Sequence, residues 1–428
     1  MAKKTDIPKF GPLQGVRVAH ASQSIAGPFV CQMMAELGAD VIWLENSLVM
    51  DIARADTGMT IEQDRRNQRN LCLNIPSPEG KEIFLKLMEE TDIFVEASKA
   101  GQYDKWGLSD EVLWEHNPAL VIVHISGYGQ TGDPDYVGKP SYDSVGQAFG
   151  CLMQMNGFAD RPPVVAMPFL GDYLTAYLAS TSALASYIYA SKTGKGESID
   201  VAQFEAMMRC QLNYPLDELN YGIKFVREGN HSLFRAGLGT YKCKDGEIHI
   251  FTVGMGVLKK GLPFLGLEFG SKEFPADQPV VLPNTPGGNL LEDKLVAFCT
   301  DRTVDEAEKQ LSDAGIPCSR IMDYQTAYNH PQYIARDVFT EWDTVDDRHI
   351  IGVNVIPKLK NQPGQIWRGA PTIGLDNEDI LTEMGMSVEK IQELYDKKVL
   401  VKKDNSQLHG RINVSNMTRP AGIEFRKE

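Results

Sequence analysis

Short apolar runs alternate with amphipathic segments through the first part of the chain. Five of these runs are short enough to be buried strands, at 16–21, 40–44, 71–75, 92–96 and 120–125. A helical pattern runs from Ala26 to Leu37, and another at 81–90 places its apolar residues on one face. Strands and helices alternating at this spacing predict a parallel, doubly wound α/β sheet.

A long segment rich in alanine and serine, 173–191, predicts a helix that packs closely against another backbone. A strand at 199–202 and a helix at 203–212 follow it. Beyond Gly222 the pattern changes, with a hairpin at 241–250 built around a Lys-Asp-Gly turn. We therefore expect two domains and a tail. Their predicted bounds are 1–224 with 331–403 for a large discontinuous α/β domain, 225–330 for a smaller α+β domain, and 404–428 for a flexible tail.

The charge balance is acidic over the 428 residues. Lys and Arg number 43 against 57 Asp and Glu, which gives a formal net charge of −14. Such a balance does not attract a nucleic-acid backbone, so we expect no nucleic-acid partner. A local basic pocket for one phosphorylated ligand remains compatible with it.

Cysteine and histidine usage indicates a reducing compartment and no metal site. The seven cysteines are scattered, odd in number and never spaced C-x-x-C, and the eight histidines show no H-x-x-x-H pattern. The first residues lack the apolar segment of a signal peptide, and no apolar run of about 18 residues occurs. We expect a cytoplasmic protein with no membrane partner.

Gly127–Gly132 reads G-x-G-x-x-G directly after the strand at 120–125. A dinucleotide site would need a helix that begins at the last glycine. Pro134, Gly138 and Pro140 oppose such a helix, and a glycine-rich loop at the carboxyl edge of the sheet is the favoured interpretation. A nicotinamide-dependent oxidoreductase stays open as an alternative.

Asp172 stands directly before the long predicted helix, in the segment PFLGDY. One interpretation is an N-cap, because an aspartate accepts hydrogen bonds from the first free amides of a helix. The other is a carboxylate nucleophile that attacks a thioester carbonyl and forms a mixed anhydride. The two roles are compatible.

Basic residues concentrate in two places, Arg65, Arg66 and Arg69 in one and Lys99 and Lys105 in the other. A solvated surface explains most such runs. Alternatively, these side chains gather at the strand ends and bind the phosphates of a ligand.

The chain resembles the class III CoA-transferases, the family that includes formyl-CoA, carnitine and bile-acid CoA-transferases. The resemblance covers Phe10 to about Leu400, and the branch of the carnitine and bile-acid enzymes is the most similar. It rests on the segments FGPLQGVRV, IAGPF, QMMAELGADVIWLEN, SGYGQTGD, SYDSVGQAFG, GDYLTAYLAS, TGKGESIDVAQFEAM, GIPCSRI and QIWRGAP.

This resemblance implies a catalytic role for Asp172 and a set of residues that contact CoA. Ile25 and Ala26 fall where a backbone amide supports the acyl oxygen. The remaining implied CoA contacts are Leu73, Ala97, Lys99, Lys105 and Tyr142. Three departures from the family pattern are Ala97-Ser98 in place of Asn-Phe, a glycine-rich loop reduced to 236–239, and Asp376 in place of a common histidine.

The implied activity is transfer of CoA from an acyl-CoA to a free carboxylic acid, through an aspartyl anhydride and an aspartyl–CoA thioester. CoA is then a substrate, and no tightly bound cofactor or metal is needed. Backbone amides near Ile25 and Gly237 would stabilise the oxyanions. The family fold implies an interlocked, ring-like homodimer.

The acyl group stays open among carnitine or γ-butyrobetaine, bile acids, and small 2-hydroxy or aryl acids. Tyr214, Asp217, Glu218 and Tyr221 recur at helical spacing and fit either a pocket for a trimethylammonium group or a solvated helix face. A non-catalytic CoA-binding protein, which has no use for Asp172, is the remaining alternative.

Overall fold

The structure, a computed structural model, describes residues 6–55 and 60–403. The described residues fall into two compact units, one within the ranges 1–152, 166–212 and 334–428, and one formed by 153–165 and 213–333. The small domain expected at 225–330 lies within the second unit, which also takes in 153–165, 213–224 and 331–333. The tail at 404–428 lies outside the described residues.

The first unit is built on one six-stranded parallel sheet. Its strands are β1 (Arg17–Ala21), β2 (Asp40–Asn46), β3 (Arg69–Leu73), β4 (Ile93–Glu96), β5 (Val121–Ser126) and β6 (Glu197–Ala202). Their order across the sheet is β3-β2-β1-β4-β5-β6, and every neighbouring pair is parallel. The predicted parallel α/β sheet is thus confirmed.

Helices cover both faces of this sheet. They are α1 (Ala26–Glu36), α2 (Ile52–Ala55), α3 (Thr60–Arg65), α4 (Pro78–Met88), α5 (Gln102–Lys105), α6 (Asp110–His116), α7 (Asp143–Phe149), α8 (Leu170–Thr193) and α9 (Gln203–Arg209). Alternate strand residues point to opposite faces. Ile42 and Phe94 pack on the α4 side, whereas Val41 and Val95 pack on the α1 and α8 side. Both faces are therefore dry, as a parallel sheet requires.

Small residues allow α8 to lie close to the sheet and to α1. Ala176, Ala179 and Ala183 are fully buried along one side of the helix. Alanine at these positions brings the backbones together, which is the close packing that the sequence predicts.

The order in which strands are added reverses between β1 and β4, because the chain continues from β1 towards β2 on one side and from β4 towards β5 on the other. Loops that diverge in this way leave a crevice at the carboxyl edge, where open α/β sheets bind ligands. The segments after β1, β4 and β5 all begin at this edge.

The second unit has its own core. Its elements are α10 (Tyr214–Tyr221), β7 (Leu238–Lys242), β8 (Glu247–Phe251), α11 (Met255–Phe264), α12 (Pro286–Thr300), α13 (Val304–Asp313), β9 (Cys318–Arg320) and α14 (Tyr324–Asn329). The predicted hairpin is confirmed as β7 and β8, which pair antiparallel, and β9 joins β8. Ile248, Ile250, Leu291 and Leu295 pack in the centre of this core.

After the short helix α15 (Pro331–Ala335), the chain completes the first unit. It forms the hairpin β10 (Phe339–Asp343) with β11 (His349–Val353), and the helices α16 (Asn377–Glu383) and α17 (Val388–Asp396). Leu400 pairs with Leu73 at the end of β3, so this segment packs against the sheet. Within 6–55 and 60–403, no helix has the length and apolar character needed to cross a membrane.

Candidate active site

An open cleft lies in the first unit at the carboxyl edge of the sheet. Loops after β1, β4 and β5 form its walls, together with the starts of α1, α8 and α9. Five of the residues singled out from the sequence line this cleft, namely Ala26, Ala97, Lys99, Tyr142 and Asp172. The topology brings together residues that are far apart in the chain.

Asp172 is the third residue of α8, which begins at Leu170. The residue before the helix is Phe169, in a left-handed conformation with φ of 45°, and its side chain makes no cap. The N-cap interpretation of Asp172 is therefore wrong, since the carboxylate lies inside the first turn. Asp143 accepts the Asp172 amide at 3.0 Å instead, and so satisfies one of the free N–H groups.

The Asp172 carboxylate accepts a short hydrogen bond from Gln203, with 2.5 Å between Asp172 Oδ1 and Gln203 Nε2. Asp172 is 7% exposed and Gln203 5%, so little water reaches this contact. Asp143 is held in turn by Gln147, which donates to its Oδ2 at 2.6 Å. The cleft thus presents a nearly dry carboxylate with one fixed hydrogen-bond donor.

Burial raises the pKa of Asp172 from its ordinary 3.8 to about 7, and the charges of Asp143 and Asp64 add to the increase. The Gln203 hydrogen bond acts in the opposite direction. Asp64 is itself buried with neither carboxylate oxygen hydrogen-bonded, and burial raises its pKa to about 6. Near neutral pH, Asp172 therefore exchanges its proton readily.

The raised pKa predicts that Asp172 costs stability in alkaline solution. The folded state keeps the proton between pH 3.8 and about 7 while the unfolded state loses it, so stability falls as pH rises through this range. Asp172→Asn removes the penalty, and we expect it to stabilise the protein by about 2 kcal/mol at pH 8 and by almost nothing near pH 3.5. Urea unfolding at the two pH values measures this. An equal effect at both pH values would contradict a raised pKa.

The other predicted contact residues lie around the cleft rather than in its wall. Leu73 lines a smaller adjoining pocket with Tyr103 and Trp106. Lys105 ends α5 and is exposed, and Ile25 is the buried residue that precedes α1. Of the sequence-based set, Ala26, Ala97, Lys99, Tyr142 and Asp172 thus share the main cleft, and Leu73 lines the adjoining pocket.

Three residues near Asp172 or in the cleft wall were missed by the sequence analysis, namely Gln203, Asp143 and Lys139. A positional signal existed for Gln203, because it directly follows the strand at 199–202. β5 and β6 pair in register up to Ser126 and Ala202, so Gln203 must emerge at the same edge as the glycine-rich loop.

The three arginines at 65–69 are neither solvated nor able to bind phosphate. Each is at most 1% exposed. Arg65 pairs with Asp51 at 2.7 Å, Arg66 pairs with Glu36, and Arg69 binds both Asp40 and Glu383. Both interpretations of this run are wrong, because its side chains form buried ion pairs that hold elements together.

The glycine-rich loop after β5 leads into no helix between 127 and 142. Gly129 and Gly132 have φ of 94° and 129°, which glycine adopts without a steric penalty. A Cβ at Gly127 would lie 2.2 Å from the Ser141 Cβ, so the loop folds tightly against the segment before α7. The favoured interpretation is confirmed, and the helix that a dinucleotide fingerprint requires is absent from this described stretch.

Two features of the second unit bear on the expected roles of Gly237 and of the residues on α10. The Gly237 amide donates to Glu292 Oε1 at 2.6 Å, so this amide is not available to an oxyanion. The residues proposed for a trimethylammonium pocket lie on α10, which has no buried residue, and Tyr221 is 77% exposed. Of the two interpretations of these residues, the structure supports the solvated helix face and not the trimethylammonium pocket. Pro215 does not interrupt α10 because it lies in the first turn.

No group of three or more His, Cys, Asp or Glu side chains within 6–55 and 60–403 is arranged to hold a metal ion.

Comparison with known proteins gives the class. The chain matches the CoA-transferase family III over residues 13–377 and belongs to this family. It is therefore an enzyme that transfers CoA, which excludes the nicotinamide-dependent and non-catalytic alternatives. It is 42% identical over 402 residues to the L-carnitine CoA-transferase of Proteus mirabilis (strain HI4320), covering 93% of this chain and 98% of that protein.

Solved structures agree in fold. A CAIB/BAIF family protein from Brucella suis superposes with a TM-score of 0.73 at 26% identity, over 88% of this chain and 100% of its own. Rv3272 from Mycobacterium tuberculosis, in an orthorhombic form, gives 0.72 at 20% identity over 86% and 98% of the two chains.

Proposed function

We propose that this CoA-transferase works through a covalent intermediate on Asp172. The observation that supports the proposal is a buried carboxylate, 7% exposed, that lines the one cleft shared by Ala26, Ala97 and Lys99. A desolvated carboxylate is a stronger nucleophile than a hydrated one, and with its pKa raised to about 7 a substantial fraction of Asp172 is still ionised near neutral pH.

The first half of the reaction forms two intermediates in turn. An Asp172 oxygen attacks the acyl-CoA carbonyl, the carbon–sulfur bond breaks, and CoA leaves as a thiolate. The thiolate then attacks Asp172 Cγ in the resulting anhydride. The bond between Cγ and the bridging oxygen breaks, and the first acid departs as a carboxylate.

The second half repeats these steps in reverse order. A carboxylate oxygen of the acceptor attacks the aspartyl–CoA thioester and expels the thiolate, forming a new anhydride. The thiolate attacks the acceptor carbonyl, and the Asp172 carboxylate leaves. One thioester replaces another, so the exchange needs no nucleotide hydrolysis, and CoA is a substrate rather than a bound cofactor.

Backbone amides at the start of α1 are the proposed support for the acyl oxyanion. Ile25 and Ala26 stand at this helix N-terminus, whose amides favour negative charge. A Cβ at Gly27 would lie 2.5 Å from the Ser22 side chain, so glycine lets the first turn lie against the segment after β1.

Lys99 is proposed to bind CoA phosphate, with Lys105, Tyr142, Leu73 and Ala97 as further contacts. Its exposed ammonium lies in the cleft wall, and we expect Lys99→Met to raise KM for acyl-CoA about tenfold with little change in kcat. Increasing salt should reduce this difference. Initial-rate assays measure both effects.

Lys195→Met is the matched control, because Lys195 is an exposed lysine that precedes β6 and so lies at the opposite edge of the sheet. Equal KM values for Lys99→Met and wild type would contradict the proposal that Lys99 binds CoA phosphate.

Carnitine- or γ-butyrobetaine-type acids are the proposed substrates, because the relative at 42% identity is an L-carnitine CoA-transferase. The test is a panel of donors assayed for CoA transfer, with carnitinyl-CoA, a bile acyl-CoA, lactoyl-CoA and an aryl acyl-CoA. We expect kcat/KM to be highest for carnitinyl-CoA. A higher kcat/KM for one of the other donors would contradict the proposed substrate and would leave the proposed mechanism unchanged.

A homodimer is also part of the proposal. α10 and its flanks expose large apolar side chains, including Leu212, Leu219 and Tyr221, each at least 77% exposed. Apolar surface of this kind marks an interaction site. Light scattering should give twice the chain mass of 47.5 kDa. A mass of one chain at micromolar concentration would contradict the dimer.

A further inference from the structure

We infer that Gln203 is a catalytic residue, whose side-chain amide stabilises the negative charge that develops on Asp172 Oδ1 when Cγ is attacked. The inference rests on the proposed function, because it concerns the steps at Cγ. Gln203 Nε2 lies 2.5 Å from Oδ1, and both side chains are buried.

The surroundings of Gln203 determine which end of its amide faces Asp172. The Ser141 hydroxyl lies 3.4 Å from both Gln203 Oε1 and the Tyr142 carbonyl oxygen, and it can donate to either of them. An amide oxygen turned towards the Asp172 carboxylate would be repelled by it, whereas Nε2 is a donor. The contact is therefore a donor aimed at an oxygen of the reacting group.

Space for this amide is provided by a glycine. A Cβ at Gly146 on α7 would lie 2.4 Å from Gln203 Oε1 and 2.8 Å from its Cδ. With glycine at 146, the amide fits between α7 and α8 without displacing either helix. Its position at the start of α9, directly after β6, also fixes its backbone.

The charge at Oδ1 changes at each attack on Cγ. When the CoA thiolate adds to the anhydride, the electron pair of the Cγ–Oδ1 double bond moves onto Oδ1. When the intermediate collapses, this double bond re-forms, and the pair of the bond to the bridging oxygen leaves with the first acid. The acceptor's attack on the thioester passes through the same state, with the thiolate as leaving group. A donor already 2.5 Å from Oδ1 needs no rearrangement to stabilise both states.

Gln203→Met tests the inference because it keeps the length of the side chain and removes the donor. We expect kcat to fall by about 10²–10³, the usual cost of one oxyanion donor. The hydrogen bond also favours the ionised form of Asp172, so the midpoint of the pH–rate profile should lie higher in Gln203→Met than in wild type. A residue that only supports the fold would not move this midpoint.

Two further variants keep the test decisive. Gln211→Met is the matched control, because Gln211 is equally buried, follows the same helix, and donates only to the Gly150 and Met207 carbonyls. It should retain wild-type kcat and pH midpoint. Gln203→Glu has nearly the shape of glutamine, and above pH 8 it should lose at least as much activity as Gln203→Met.

The outcomes separate this inference from the proposed function. Wild type, Gln203→Met, Gln203→Glu and Gln211→Met are first tested by calorimetry. Their activities are compared once their unfolding temperatures and CoA affinities are shown to be the same. Only the role of Gln203 would be overturned if wild type forms the Asp172–CoA adduct but Gln203→Met keeps the wild-type kcat and pH midpoint. A wild type that transfers CoA without any adduct would overturn both.

Discussion

Asp172→Ala is expected to lower CoA transfer by a factor of about 10⁴ or more while leaving acyl-CoA affinity within a few-fold of wild type. Removal of a nucleophile eliminates both covalent intermediates, and losses of this size are usual for such residues. The phosphate contacts proposed for Lys99 and Lys105 do not involve Asp172, so binding should persist. Initial rates and calorimetric titration with acyl-CoA measure the two quantities separately.

Asp135→Asn is the matched control for this variant. Asp135 is an exposed aspartate in the segment between β5 and α7, and we expect its substitution to change kcat by less than twofold. An Asp172→Ala enzyme with more than a hundredth of wild-type kcat would contradict a nucleophilic role. Loss of binding together with activity would instead point to a damaged site.

Arg69→Met is expected to cost the first unit about 3–5 kcal/mol of stability. Arg69 is fully buried, donates to both oxygens of Asp40 at 2.9 and 2.8 Å, and reaches both oxygens of Glu383 on α16 at 3.0 Å. Its removal leaves Asp40 buried with Arg17 as its remaining cationic partner, and an undercompensated buried charge is costly.

Urea unfolding of the whole protein, followed by tryptophan fluorescence, measures this cost. Lys390→Met is the control, since Lys390 and Glu393 form a pair whose side chains are both 45% exposed. Such a surface pair contributes at most about 1 kcal/mol. If Arg69→Met unfolds at the same urea concentration as Lys390→Met, the arginine run does not hold the C-terminal helices to the sheet.

The periodic part of the fold was predictable from the sequence. Apolar runs of strand length must be buried on both faces, and amphipathic segments between them must cover those faces, so β1 to β6 and the long helix α8 follow from pattern alone. The hairpin of β7 and β8 follows from its Lys-Asp-Gly turn.

Features that depend on contacts distant in sequence were not predictable in this way. The sequence alone does not distinguish a solvated arginine from a buried one. Arg69 is buried because it pairs with Glu383, which lies 314 positions away in the chain. Helix beginnings also depend on such contacts. The position of Asp172 in the sequence suits a cap, but Asp143, 29 positions earlier, accepts a hydrogen bond from its amide and leaves the Asp172 carboxylate in the cleft. The same reasoning explains why Gln203 was overlooked, since its partner lies on another helix.

Intact mass spectrometry detects the proposed covalent bond between CoA and Asp172 without any assumption about the substrate. Wild-type protein and Asp172→Ala are incubated with acyl-CoA, each with and without hydroxylamine, and the modified peptide is then mapped. We expect wild type to gain the mass of one CoA less one water, or a hydroxamate at Asp172 when hydroxylamine is present, and Asp172→Ala to gain neither. An adduct on another residue, or wild-type turnover with no adduct under rapid quenching, would contradict it.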